Sequence, residues 1–155
     1  MDWTLFFIFL AACGGAAATG VMFSPGQWYD ALEKPAWTPP NWVFPVTWTV
    51  LYLFIANAGA RIASEPANAY AMGFFAVQIA FNTLWTPVFF GLHKMKAALV
   101  VIAILWVAVF ATTVSFWDLD FIAGILFVPY LIWVSIAAAL NFEVWRLNRR
   151  GPITT

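Results

Sequence analysis

The chain has 155 residues, of which 64 % are hydrophobic and only 9 % charged, with a formal net charge of zero. Soluble domains carry roughly 25 % charged residues, so a soluble globular class is excluded, and a balanced charge leaves no basic footing for nucleic acid. One cysteine allows no intramolecular disulfide, and the length accommodates one domain.

Five apolar runs predict five membrane-spanning helices: Trp3–Phe23, Trp42–Ala63, Ala69–Phe90, Ala97–Phe116 and Phe121–Leu140, the last continuing to Leu147. Each approaches the ~20 residues needed to cross the ~30 Å hydrocarbon layer. In the first run, Leu10-Ala11-Ala12-Cys13 has the look of a lipoprotein cleavage box. No Lys or Arg precedes it, and the apolar run continues to Phe23, so an uncleaved helix with Cys13 as a small buried hydrophobe is expected.

The long first loop, residues 24–41, leads into Ala36–Tyr52, where Pro39, Pro40 and Pro45 alternate with Trp37, Trp42 and Trp48. The Pro39-Pro40 pair cannot sit inside a helix and pushes Thr38 toward extended geometry, which predicts a stiff lid. Asn41 is the expected N-cap of the second spanning helix, with Pro45 in its first turn. On that helix Pro45, Trp48 and Tyr52 recur at i, i+3 and i+7 and share a face. The aromatic rings either line a ligand site or belong to the interfacial belt where Trp and Tyr collect.

The third spanning helix divides most sharply. At about 100° per residue, Gln78, Asn82, Trp85 and Phe89 fall on one face, and Gly73, Ala76, Ala80 and Pro87 on the opposite one. Amides are costly in lipid without partners, so the first face is expected to turn inward, as interhelical glue or as cavity lining. The small face suits close helix approach, either within the bundle or across a homodimer. Arg61 stands in the last turn of its run, where it can snorkel. On the fifth helix Trp133, Ala137 and Leu140 share a face, with Tyr130 one turn earlier and Asn141 beside them. A bulky ring beside a small residue makes either a slot for a flat ligand or ordinary knob-and-hole packing. Pro87 and Pro129 each remove a backbone hydrogen bond and are expected to kink their helices.

No carboxylate, Lys or His lies at mid-membrane depth, which argues against ion-coupled transport. One Cys and one His supply no metal-ligand cluster, and no nucleophile has a nearby base. Lys34, Lys94, Lys96, Arg146, Arg149 and Arg150 fall on one side of a five-span topology and Arg61 on the other. That bias predicts an outside N-terminus, with the first loop and C-terminus cytoplasmic if the membrane is an inner one.

The segments WYDALEKPAW (Trp28–Trp37), WTPPNWVFPVTWTVLY (Trp37–Tyr52), QIAFNTLWTPVFFG (Gln78–Gly91), PYLIW (Pro129–Trp133) and LNFEVWRLN (Leu140–Asn148) resemble the tryptophan-rich sensory protein and translocator protein family, also called peripheral-type benzodiazepine receptors. The resemblance runs from the first helix to the C-terminal tail. It implies five helices around a pocket closed by the first loop, often in a homodimer packed through the third helix. It implies binding of porphyrins such as protoporphyrin IX, and of synthetic isoquinoline carboxamides and benzodiazepines. In photosynthetic bacteria such proteins regulate pigment synthesis, mitochondrial relatives bind cholesterol, and light-dependent porphyrin breakdown is attributed to some members. The matching pocket positions are Tyr29, Trp48, Tyr52, Asn82, Trp85, Trp133 and Ala137, with Trp37 and Trp42 at loop and rim. In the family's cholesterol motif, Phe142 stands here where Tyr is expected, which weakens that expectation.

The sequence therefore predicts an all-α, single-domain, five-helix membrane bundle. It is expected to act as a receptor or sensor for porphyrin or another flat hydrophobic molecule, needing no cofactor or metal. The expected ligand residues are Tyr29, Trp37, Trp42, Trp48, Tyr52, Gln78, Asn82, Trp85, Phe89, Trp133 and Ala137. Gly73, Ala76 and Ala80 form the expected homodimer seam. Two alternatives remain: a porphyrin-degrading photo-oxidative enzyme using Trp48 and Trp133, and a transporter of porphyrin or cholesterol-like lipid.

Overall fold

The computed structural model describes residues 2–149; Arg150, one of the basic residues counted above, lies outside them. The elements are α1 (Trp3–Met22), α2 (Gln27–Asp30), α3 (Val43–Ala63), α4 (Ala69–Thr86) with a π-helical turn at Pro87–Gly91, α5 (Met95–Leu119) and α6 (Phe121–Asn148). Among the described residues there is no strand, and five helices are long and apolar enough to cross a membrane.

Helix ends follow local chemistry. Asp2 caps α1 by accepting from the N–H groups of Thr4 and Leu5. Asp120 does the same for α6, accepting from Ile122 and Ala123. Asn41 does not cap α3. The Pro40 carbonyl accepts from Val43 N–H at 2.9 Å, so a backbone turn does that work and Trp42 occupies the cap position. Helix α5 runs longer at both ends than its apolar core, because Lys96 and Asp118 sit in terminal turns where charge reaches water. Pro87 converts the end of α4 into a π turn: the Leu92 N–H donates to the Pro87 carbonyl five residues back, at 2.9 Å. Pro129, by contrast, is carried inside a continuous α6. The first loop holds a short helix, α2, which its prolines gave no reason to expect.

The helices close a ring in the order α1, α3, α6, α5, α4. Two glycines mark close approaches within the spanning helices. A side chain on Gly59 would strike the Phe9 ring at 2.9 Å, and one on Gly124 would strike the Trp117 Cα at 2.6 Å. One half of the ring is filled. Phe75, Phe116 and Phe127 pack on one another with centroids 4.9–6.2 Å apart, beside buried Ile55 and Ile62. This end is clasped by Arg61, whose Nη2 lies 2.6 Å from Asp120 Oδ2 and whose Nε donates to the same oxygen at 2.8 Å.

Burial pushes the Asp120 carboxyl up. The Arg61 hydrogen bond and charge and the Ala123 and Ile122 amides outweigh that and hold it below the usual carboxylate range. The clasp therefore contributes in full above the unfolded-state carboxylate pKa of about 3.9 and is lost as pH falls through the lower folded value. Asp120→Asn keeps the cap and removes the charge. It is expected to cost about 0.5–1 kcal/mol at pH 7. In detergent-solubilised thermal melts the gap to wild type should close as pH drops well below about 4. A gap that stays constant to pH 2.5 would dismiss the ion pair as its source.

Candidate functional site

The other half of the ring is hollow. A cavity of about 650 Å³ lies between the C-terminal half of α1, the N-terminal half of α3, the end of α4 and its π turn, and the C-terminal half of α6. Nine aromatic rings line it: Phe23 after α1, Phe44, Trp48 and Tyr52 from α3, Trp85, Phe89 and Phe90 from α4 and the π turn, Trp133 from α6 and Tyr29 from the lid. Ala16, Ala17 and Gly20 on α1 and Ala137 on α6 leave the space between them. Trp48 stacks on Tyr52 at 5.3 Å, and Phe44 meets Trp133 edge-on at 5.6 Å. Trp85 stacks on Phe89 at 5.2 Å, so the π turn extends the aromatic wall beyond the end of α4.

Few polar groups reach this wall, and hydrogen bonds tie several of them to neighbouring helices. Asn82 Nδ2 donates to the Tyr130 hydroxyl at 2.7 Å, which donates to Gln78 Oε1 at 3.0 Å. The Tyr52 hydroxyl lies 3.5 Å from Asn82 Oδ1. Trp85 Nε1 donates to Asn141 Oδ1 at 3.1 Å, tying α4 to α6. Gln78 Nε2 is buried with no hydrogen-bond partner. An unmet donor of this kind costs about 1–3 kcal/mol.

The lid is docked rather than draped. Trp28, Tyr29 and Leu32 pack against the cluster of Phe89, Ala98 and Val144. Trp28 stacks on His93 at 4.2 Å, with His93 in the left-handed region at φ 55°. Asn148 at the end of α6 clamps the loop in both directions: its Oδ1 accepts from Glu33 N–H at 3.1 Å and its Nδ2 donates to the Glu33 carbonyl at 2.9 Å. Lys34 Nζ sits 4.6 Å above the Tyr29 ring and donates to the carbonyls of Asp30 and Leu32. Burial, and then the neighbouring Asp30 charge, push the Tyr29 hydroxyl up, so it stays protonated as a donor at neutral pH.

Of the residues singled out in the sequence, Tyr29, Trp48, Tyr52, Asn82, Trp85, Phe89, Trp133 and Ala137 line the cavity together. Three do not. Trp37 and Trp42 are 50 % and 67 % exposed, because the Pro35–Pro40 turn carries them over the outer rim. Gln78 lies one turn deeper than Asn82 and is sealed beneath Tyr130. Gly73, Ala76 and Ala80 lie on the outer surface of α4, and nothing comes within 4 Å of a side chain built on Gly73. Packing of that face inside the same bundle is thereby ruled out. Phe44, Phe90, Asn41 and the small α1 residues escaped sequence reasoning. Only Asn41 and the ring residues carried any signal, while Ala16, Ala17 and Gly20 look like any apolar helix. Cys13 is buried as expected, and Glu143 pairs with Arg146 at 2.6 Å. Among the described residues no cluster of His, Cys, Asp or Glu could hold a metal ion.

Comparison with known proteins gives a concordant picture. The TspO/MBR family model matches residues 4–146. A protein named Protein CrtK from Rhodobacter capsulatus is 52 % identical, with 99 % of each chain covered. The Tryptophan-rich sensory protein of Cereibacter sphaeroides is 53 % identical over 98 % of this chain and 96 % of its own. The Translocator protein of Sus scrofa is 34 % identical over 94 % and 90 %.

Proposed function

Because this chain belongs to the TspO/MBR family of multi-pass membrane proteins, we propose that it is a receptor or sensor for a flat hydrophobic ligand, a tetrapyrrole of the protoporphyrin IX type, acting in the regulation of tetrapyrrole metabolism or a stress response. The observation that carries the reading is the aromatic cavity. Its volume of about 650 Å³ is in the range of ligand sites, roughly 300–1,000 Å³, and it joins apolar walls to a few fixed polar groups. Tryptophans on opposite helices, Trp48 on α3 and Trp133 on α6, offer flat faces to a planar ring. The lid clamp at Asn148 gives such a ligand a door at one end of the bundle. Spectral titration of the purified protein with protoporphyrin IX is the test. A saturable shift of the porphyrin absorption band at one equivalent per chain is expected, and absence of saturation overturns the reading.

The basic residues about the lid and the end of α6 support a cytoplasmic lid and C-terminus, testable with a C-terminal topology reporter. The exposed small-residue stripe of α4 supports a homodimer seam, where close backbone approach lets dispersion hold two helices together in lipid. Ala80→Leu is expected to shift a detergent-solubilised dimer toward monomer by ten-fold or more in dissociation constant, about 1.4 kcal/mol, with porphyrin titration unchanged. A dimer that survives Ala76→Leu combined with Ala80→Leu, measured by light scattering, rules this seam out.

A further inference from the structure

Gln78 and Asn82 stand one helical turn apart on α4, and Tyr130 reaches between them from α6. Asn82 lines the cavity, whereas Gln78 and Tyr130 are fully buried behind it. A tyrosine hydroxyl has one hydrogen to give. Here it goes to Gln78 Oε1 at 3.0 Å. Only lone pairs then face Asn82, and only a donor can meet them. The Asn82 amide must therefore turn Nδ2 inward, where it lies 2.7 Å from the hydroxyl. Its carbonyl oxygen is left to the cavity side, where its partner is Tyr52, a wall residue, at 3.5 Å. That is the outer limit of a hydrogen bond and is readily displaced by a better donor.

We propose that Gln78, acting through Tyr130, is a specificity-setting positioning residue. It fixes Asn82 with Oδ1 toward the ligand, so the site selects a ligand group that donates a hydrogen bond, N–H or O–H, over one that only accepts. The proposal rests on the tetrapyrrole reading above and names the polarity of that site. The Nε2 of Gln78 has no partner. A Met of similar volume would pack there without an unmet donor, so the half of the amide in use is the Oε1 that orients Tyr130.

Two porphyrins that differ only at this chemistry test it: one bearing two hydroxyethyl groups and its di-O-methyl ether. Wild type is expected to bind the hydroxyl form about ten-fold more tightly, the worth of one buried hydrogen bond. In Gln78→Met, Tyr130 loses its acceptor and turns its hydrogen to Asn82, whose amide reverses. The preference should fall to unity or invert, while affinity for the ether is kept or raised. Gln78→Glu still offers an oxygen to Tyr130 and should keep the preference. Tyr130→Phe, which removes the relay without touching the cavity wall, should shrink it below about three-fold. Equal affinities in wild type, or a preference that persists in a folded Gln78→Met or Tyr130→Phe protein, overturn the proposal and leave the tetrapyrrole reading standing. Absence of saturable binding by either porphyrin overturns that reading, and this specificity with it.

Discussion

Gly124→Ala is expected to be among the most destabilising single-atom additions this chain can suffer. The new methyl would lie 2.6 Å from the Trp117 Cα and 2.7 Å from its Cβ, and backbone cannot swing aside as a side-chain tip can. Helices α5 and α6 would have to separate at this close approach, near the Asp120 junction that caps one and ends the other. Overpacking of this kind costs about 1–3 kcal/mol, and a chain of this size loses roughly 2–4 °C of Tm per kcal/mol. The control is Gly15→Ala on the exposed side of α1, where a methyl meets nothing within 4 Å. There the helix should gain about 0.5–1 kcal/mol from reduced chain entropy. Opposite signs for the two in parallel thermal melts are expected; equal effects would show that the α5–α6 crossing relaxes freely.

Trp133→Ala should produce the largest loss of ligand affinity. The side chain is buried, packs edge-on to Phe44 at 5.6 Å and gives its remaining surface to the cavity. Removing it takes away a wall and loosens a neighbouring ring. Truncating a central aromatic anchor costs about 1–3 kcal/mol, so protoporphyrin IX affinity should fall roughly 10- to 100-fold. Trp133→Phe, which keeps an aromatic face, should recover most of that. Unchanged affinity in a folded Trp133→Ala protein would remove Trp133 from the site.

Much of this was legible in the sequence because membranes make sequence speak plainly. Span number follows from apolar length, and the inward face of α4 from the periodicity of Gln78, Asn82, Trp85 and Phe89. Arg61 was legible as a charge at a helix end, but its partner Asp120 was not, since pairing 59 residues apart needs the ring order of the helices. Trp37 and Trp42 stand at the rim, where the family resemblance puts them, but outside the cavity lining: prolines announce rigidity without direction, and the same stiff loop can aim its rings into a cavity or over its rim. Gln78 was read as lining because it shares an angular face with Asn82, and helical angle says nothing of depth. The π turn at Pro87 was invisible, since a proline near a helix end permits a stop, a kink or a widened turn alike.

The hollow half of the ring has walls one helix thick. Each wall helix shows one stripe to the cavity and the opposite stripe to the outside of the bundle, as α4 does with Asn82 inside and Leu84 outside. No inner layer of protein shields the contents from the bilayer. The acyl chains therefore act as the outer hoop of a cask, and their lateral pressure bears on the staves directly. Bilayer thickness and packing therefore bear on the volume of the cavity, and the surrounding lipid enters the binding equilibrium proposed above as a silent co-solute.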